Sequence, residues 1–550
     1  MKKSLIIWLF LYCSCTVFSQ ENTGQIHGDF NLSVQNYQED LTIGAQTVDE
    51  IIRSNAHLNI NYIKGDFQIG LRYESYLNAL ADYDPEFKGN GIPFRYATYN
   101  INGLEITAGN YYEQIGNGLI FRSYEEKGLG IDNAMDGIRL KYKPIEGLYL
   151  KTFIGKSRTH FTYSEGIFRA IDGDFNINEL TKLNTNTSIM LGVGFISRYQ
   201  ERSNIVFKIP QNVGAYSARI NLINGGWAYA GEFAYKINDP ANVLSQSEMN
   251  YASGNAFTNS LTFSKKGFGF TIEMHRTDNM TFKSDRDRDG KAYLINYIPT
   301  LTKAHSYSLL AIYPYATQTD GELGLQADLY LNFKKGSLLG GKYGTKLDLN
   351  YARINALNGG SSFLNDQTNH VPELISFSEE LYFQDVNLEI NKKINKKIKT
   401  IFVLANQTYN KDFLEGHTEG SDGVLNSTII VADISYKIKK KHSVRVELQT
   451  LISKQLEHAE ELADGDWSMG LIEYTISPNW FFTIQDMYNW GNEDPEKQLH
   501  YLNMNVGFIK GANRFEIGYG KKREGIFCVG GICKLVPASN GFNLSVSSSF

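Results

Sequence analysis

Short and long connections take turns along this 550-residue chain, and that parity constrains its fold more than any other feature. Tight links fall at Lys64-Gly65, Asn102-Gly103, Pro144 to Gly147, Asn224 to Gly226, Lys265 to Gly267, Lys335 to Gly341, Lys392 to Lys397, Lys439 to Lys441, Ser477 to Asn479 and Lys510 to Asn513, with long loops between successive links. The segments they join alternate apolar and polar residues, the period of an extended strand. Leu58, Ile60 and Tyr62 alternate with His57, Asn59 and Asn61, and Phe67, Ile69, Leu71 and Tyr73 with Gln68, Gly70, Arg72 and Glu74. A soluble sandwich has no reason to sort its loops by parity. A closed antiparallel barrel that crosses a membrane does, with turns at one end and loops at the other.

Later strands state the same pattern more strongly. Leu325, Ala327, Leu329, Leu331 and Phe333 oppose Gln326, Asp328, Tyr330, Asn332 and Lys334; Val444, Val446, Leu448 and Ile452 oppose Ser443, Arg445, Glu447 and Gln449. Burying those charges unpaired in a dry core costs several kcal/mol each, on the order of 3 or more. They are therefore expected to face an aqueous or polar-packed interior, while the aliphatic rows face hydrocarbon. Composition agrees: 34 Tyr, 32 Phe and 50 Gly stand against 11 Pro, at a mean hydropathy of −0.31. About 13 strands are expected from Phe30 to near Asn279 and about 11 from Leu325 to Phe550, about 24 in all (range roughly 22–26). The first strand, with Phe30, Leu32 and Val34 on one face, leaves no room for a plug domain ahead of it. Met280 to Glu322 fits no single strand without breaking the parity. It is expected to be one long outer excursion, with Tyr293, Tyr297, Tyr307, Tyr313 and Tyr315 able to fold into the lumen as a constriction; the alternative is a further hairpin.

Both ends of the chain bear on location. Lys2-Lys3, an apolar run from Leu5 to Leu11, and small residues up to Ser19 read as a secretory signal over residues 1–19, with a lipoprotein signal at Cys13 or Cys15 as the rival. No later apolar run reaches the length of a membrane helix. At the other end, Phe542, Leu544, Val546 and Phe550 share one face of a last strand. A chain that stops on an aromatic in this way resembles an outer-membrane β-barrel, whose closing strand is the recognition tag for the barrel-insertion machinery. Cys528 and Cys533, in CVGGIC, are expected to form a disulfide in an exported protein.

Residues that could carry chemistry are few. The glycine- and charge-rich stretch from Gly109 to Gly137 holds Glu113, Arg122, Glu125, Glu126, Lys127, Asp132 and Asp136, which could form an ionic network inside the barrel mouth or lie on a solvated loop. Asp285, Asp287 and Asp289 before Gly290 spell DRDRDG, half of a calcium loop; Asn296 stands where a bidentate Glu is needed, and Arg286 and Arg288 could neutralise the carboxylates instead. No catalytic motif is found, so enzyme activity is not expected, and beyond calcium at that loop neither is a cofactor. A net charge of −5 gives no reason to expect nucleic acid.

The stretches GNGLIFRSYEEKGLGIDN, KKGSLLGGKYG (Lys334 to Gly344) and GIFCVGGICKLVPASNGF resemble an uncharacterised family of outer-membrane barrels of Bacteroidota, a domain-of-unknown-function family. The resemblance implies architecture and location, an integral barrel in outer-membrane lipid, and no activity. Two functions are expected to compete. One is a channel or porin-like transporter; the other is a non-enzymatic subunit of an assembly or secretion complex that docks surface lipoproteins or another outer-membrane protein.

Overall fold

The computed structural model describes residues 24–201, 209–237, 239, 253–288, 290–357, 375–416, 423–455, 465–529 and 532–550. The expected signal over residues 1–19, Asp289 and the two glycines of CVGGIC lie outside these. Twenty-four antiparallel strands form one sheet in which each strand pairs with its chain neighbours. The first, Gln25–Asn36, closes the cylinder against the last, Ser539–Ser549, with Asp29 opposite Ser549 and Gln35 opposite Asn543. Phe550 extends the seam through its backbone: Gly28 N donates to its carbonyl at 2.9 Å and its N donates to Gly28 O at 3.0 Å. Closure removes the unpaired edges that a sheet in lipid cannot tolerate.

Thirteen strands precede the Met280 excursion and eleven follow it, matching the count expected from alternation. Every short link of the parity argument lies at one end of the barrel. Two-residue turns there need left-handed backbone, as at Asn102 and Gly103 with φ of 47° and 79°. One connection at that end carries the short helix Ile177–Thr181, which alternation does not mark; Asn176 caps it by accepting from Glu179 N. On the loop side the connection from Thr159 to Thr162 is the exception, a tight tip on two long strands.

The burial pattern is inside out. Ile171, Val193, Leu448 and Ile517 are each more than half exposed, whereas Asp172 and Glu447 are 4 % exposed. At the turn end the outer surface carries packed rings, Trp227 with Phe263 and Phe270, and Trp480 with Phe482 and Phe508. An aliphatic belt edged by aromatics is costly in water and stable in a bilayer, so this is a barrel of the membrane-spanning kind. Phe542, Leu544 and Phe550 lie on that outer belt, with Val546 sharing their face by register.

The interior departs from the expectation that water or polar packing fills it. Two apolar clusters sit inside the cylinder. In one, Met280, Phe282, Ile295 and Ile298 of the excursion and Ile115, Leu119, Ile120 and Phe121 of the loop 112–134 pack on inward residues of successive strands, among them Phe168, Ile196, Ala215 and Ala234. In the other, Leu309, Leu310, Ile312 and Tyr313 pack on Ile354, Val403, Ile429, Val431 and Leu451. Small inward residues (Ala170, Ala215, Ala234, Ala256) leave room for the inserted chain. Alternation identifies which residues point inward. It does not say whether water or folded-in protein meets them.

Candidate functional site: the lumenal insert and its ionic anchors

Residues 279–288 and 290–320, together with 112–134, form one folded-in body. Arg122 N donates to Ile295 O at 2.6 Å and Tyr297 N to Gly118 O at 2.9 Å, while Asn133 Nδ2 donates to Leu294 O at 2.9 Å and Asn296 Nδ2 to Leu119 O at 3.3 Å. The excursion then runs back toward the loop end along strands further round the wall. Lys303 Nζ reaches Asn387 at 3.1 Å and Glu389 at 3.7 Å, His305 Nε2 lies 2.6 Å from Asp385, and Tyr307 donates to Asp433 at 3.3 Å. Leu309 N donates to Gln449 at 2.9 Å and Gln407 donates to Leu310 O at 3.1 Å. Tyr293, Tyr307, Tyr313 and Tyr315 are buried against the wall and do not fringe an open bore. Tyr297 instead stacks on Arg122, 4.1 Å from the guanidinium.

Charged side chains from the wall fasten this body at three places. At the first, Arg72 and Glu74 of the strand Phe67–Asn78 and Arg158 of the strand Leu148–Thr159 are almost wholly buried. Arg158 pairs with Glu74 and Asp132 at 2.5 Å each, and Arg72 with Glu74 at 2.7 Å, Glu125 at 2.9 Å and Asp132. Two cations thus meet three carboxylates, two of them from the loop. At the second, Arg198 pairs with Asp239 at 2.6 Å and donates to Lys283 O at 2.7 Å; Arg286 also reaches Asp239, at 3.3 Å. At the third, Glu322, fully buried where the excursion rejoins the sheet, accepts from Tyr315 Oη and Gln318 N, and contacts His275.

Of the seven charges singled out in the loop, the structure joins Glu113, Glu125 and Asp132 to wall cations. Glu113 meets Lys141 at 3.0 Å, Lys151 at 3.1 Å and Arg139 at 3.3 Å. Burial alone would raise its carboxyl, but Lys151 and Lys141 hold it below the ordinary Glu range. Glu125 goes the other way: burial raises it, and Arg72 does not fully offset the effect. Lys127 lies 3.9 Å from Glu125. Arg122 sits between the rings of Tyr124 and Tyr297. Among the described residues the Glu126 side chain accepts from Gly128 N and meets no wall cation. Asp136 is not in the network at all: it shares the outer face with Ile138 and pairs with Arg95 at 3.0 Å and Tyr163 at 2.5 Å.

Asp285 to Arg288 belong to the insert and are held by residues outside it. Gln200 donates to Asp285 at 2.9 Å and to Asp287 at 3.4 Å. Arg286 and Arg288 pair with Asp239 and Glu86, outside the motif. Among the described residues no group of three or more candidate ligands could hold a metal ion. Cys528 and Cys533 are disulfide-bonded across the hairpin Gly525–Val529 and Ile532–Val536, as expected.

Glycine placement governs the wall below the insert. Arg219 reaches across the strand Thr187–Tyr199 to Asp172 and Asp174, at 2.8 and 2.7 Å. It passes over Gly192, where a Cβ would lie 2.3 Å from its Nε; next along that face, a Cβ on Gly194 would lie 2.4 Å from Ile115. Gly192→Val should therefore break the Arg219 pairs and cost about 1–3 kcal/mol. A lowered temperature for the heat-dependent shift in gel mobility of the folded barrel, unchanged in Val193→Leu, checks this.

Among solved structures the chain is similar to the P pilus usher (PapC) translocation pore, at TM-score 0.44 and 10 % identity over 95 % of this chain and 99 % of that one. It is similar to the siderophore receptor PirA from Pseudomonas aeruginosa, at TM-score 0.42 and 9 % identity over 97 % and 81 %. It is also similar to a BenF-like porin from Pseudomonas fluorescens Pf-5, at TM-score 0.35 and 12 % identity over 79 % and 99 %. At these scores the likenesses bear on neither activity nor substrate. No curated protein matches the chain. A family model described as a family of unknown function, DUF6029, matches residues 1–550.

Proposed function

The chain belongs to the family of unknown function DUF6029, and from that premise we propose that it is an integral outer-membrane barrel acting as a channel for polar solutes, with the insert as its constriction. The supporting observation is the space on the turn side of the insert. One recess of about 670 Å³ is lined by Glu105, Lys141, Lys151, Asp172 and Asp174. A second of about 360 Å³, further round the wall, is lined by Asp328, Asp348 and Glu389 around Lys303 of the insert. Charged groups of both signs facing a recess suit hydrated solutes, and Lys303 stands at the narrowing between insert and wall. The closing strand, with Phe542 and Phe550 outward, supports delivery by the barrel-insertion machinery.

Planar-bilayer recording tests the reading. The full chain should pass small steady currents. Replacing residues 284–316 with a short Gly-Ser linker should raise unit conductance severalfold, on the order of 3–10 times, as expected for an unfilled barrel of this size. Lys303→Cys treated with a charged thiol reagent should lower the current in the otherwise intact protein. Silence in all three forms would instead favour a non-transporting subunit that docks a surface lipoprotein or another outer-membrane protein.

A further inference from the structure

The turn-side rim is electrostatically lopsided. Three successive turns, within residues 334–346, 391–399 and 437–441, carry thirteen lysines and no aspartate or glutamate. None of these lysines forms a salt bridge among the described residues. The nearest carboxylates on the same strands, Asp348, Glu389 and Asp433, lie within the barrel, facing the insert or its recess. By contrast, Lys143 in a turn on the other side is neutralised within its own turn by Glu146, at 2.6 Å. The basic turns touch one another: Lys342 and Lys393, from different turns, both lie over the ring of Tyr343, at 5.9 and 5.4 Å. Neighbouring turns sit two strand spacings apart, about 10 Å, so the patch runs roughly 20–30 Å around the rim.

An apolar tip stands within this charge. Leu338 is 99 % exposed and Leu339 59 % exposed, between Lys335 and Lys342. Like charges crowded together and two bare leucines are each unfavourable in an isolated molecule, and a bound acidic partner relieves both.

We propose that this rim is a docking surface for an acidic protein segment on the turn side of the membrane, one that lays carboxylates over the lysines and an apolar residue on Leu338 and Leu339. Lipid headgroups are the competing occupant, and geometry disfavours them. A bilayer surrounds the cylinder evenly and gives no reason for thirteen lysines in one sector. The inference is independent of whether the barrel conducts.

The test uses the full chain in nanodiscs of phosphatidylcholine and a fluorescent peptide of alternating Glu-Glu-Leu triplets, with binding read by anisotropy. Wild-type protein should bind the peptide, with affinity falling about tenfold between 50 and 300 mM salt. K393Q/K396Q/K397Q/K399Q should weaken binding roughly tenfold or more, and L338S/L339S severalfold with the salt dependence unchanged. Heat-modifiable gel mobility identical to wild type shows that the variants are folded. Equal binding by the lysine variant, no binding by wild type, or loss of binding when the nanodiscs contain one-third phosphatidylglycerol would each overturn the proposal, the last by assigning the lysines to lipid.

Discussion

Arg158→Met should loosen the loop 112–134 by about 3–5 kcal/mol, the penalty for stranding buried carboxylates after one cation of a buried cluster is removed. Arg158 is 2 % exposed and is the partner of both Glu74 and Asp132. Its loss leaves three carboxylates sharing Arg72. If cleavage follows local opening, tryptic cutting after Arg122 or Lys127 should accelerate by at least about a hundredfold in proteoliposomes. The double variant Arg158→Met, Glu74→Gln should recover part of that loss, because one stranded charge goes with its partner. The outward pair of Arg95 and Asp136 is the control: it is exposed, and Arg95→Met should cost under about 1 kcal/mol. Equal effects at the two sites would mean that the lumenal cluster is hydrated and the loop is not seated on it.

Glu322→Ala should release the other end of the insert. This side chain is fully buried and holds Tyr315, Gln318 N and His275 together at the point where the excursion returns to the sheet. Burial and the neighbouring Glu322 carboxylate raise the Tyr315 hydroxyl well above its ordinary range, so it stays a donor at any physiological pH. Removing the acceptor leaves a buried hydroxyl, amide and imidazole unsatisfied, together about 3 kcal/mol or more. Amide exchange of residues 307–318 should quicken by roughly two orders of magnitude, while the strand Val424–Lys439 stays protected. Glu322→Gln, which keeps one acceptor oxygen, should lie between wild type and Glu322→Ala.

The barrel was readable in the chain because membrane strands obey two local rules, alternation and loop parity, and both survive without knowledge of partners. Leu448 against Glu447 or Val193 against Gly194 follows from period two alone, and so does the division of thirteen strands from eleven around Met280. The turn carrying Ile177–Thr181 escaped because its polar run has no alternation and only Asn176 to announce it. The ionic anchors were half legible. Glu113, Glu125 and Asp132 stand out in a glycine-rich loop, but Arg72, Glu74 and Arg158 look like any wet face of a strand. Their meaning depends on strands and a loop 26 to 84 residues apart in sequence coming together. Opposite charges two residues apart on one face, as in Arg72 and Glu74, were the available signal. Asp136 was misplaced for a reason that parity could have supplied: it faces outward with Ile138, next to the inward Met135.

Which side of the sheet meets lipid can be read directly. Single cysteines at Gly470, Leu471, Ile472 and Glu473, and at Glu447, Leu448 and Gln449, would carry a small fluorophore in bilayers with brominated acyl chains; Cys528 and Cys533 are already joined. A barrel with its aliphatic face in lipid gives quenching at Leu448, Gly470 and Ile472 and none at Glu447, Gln449, Leu471 and Glu473, a strict alternation with period two. Uniform quenching, no quenching, or a chain that stays in solution without detergent would contradict it.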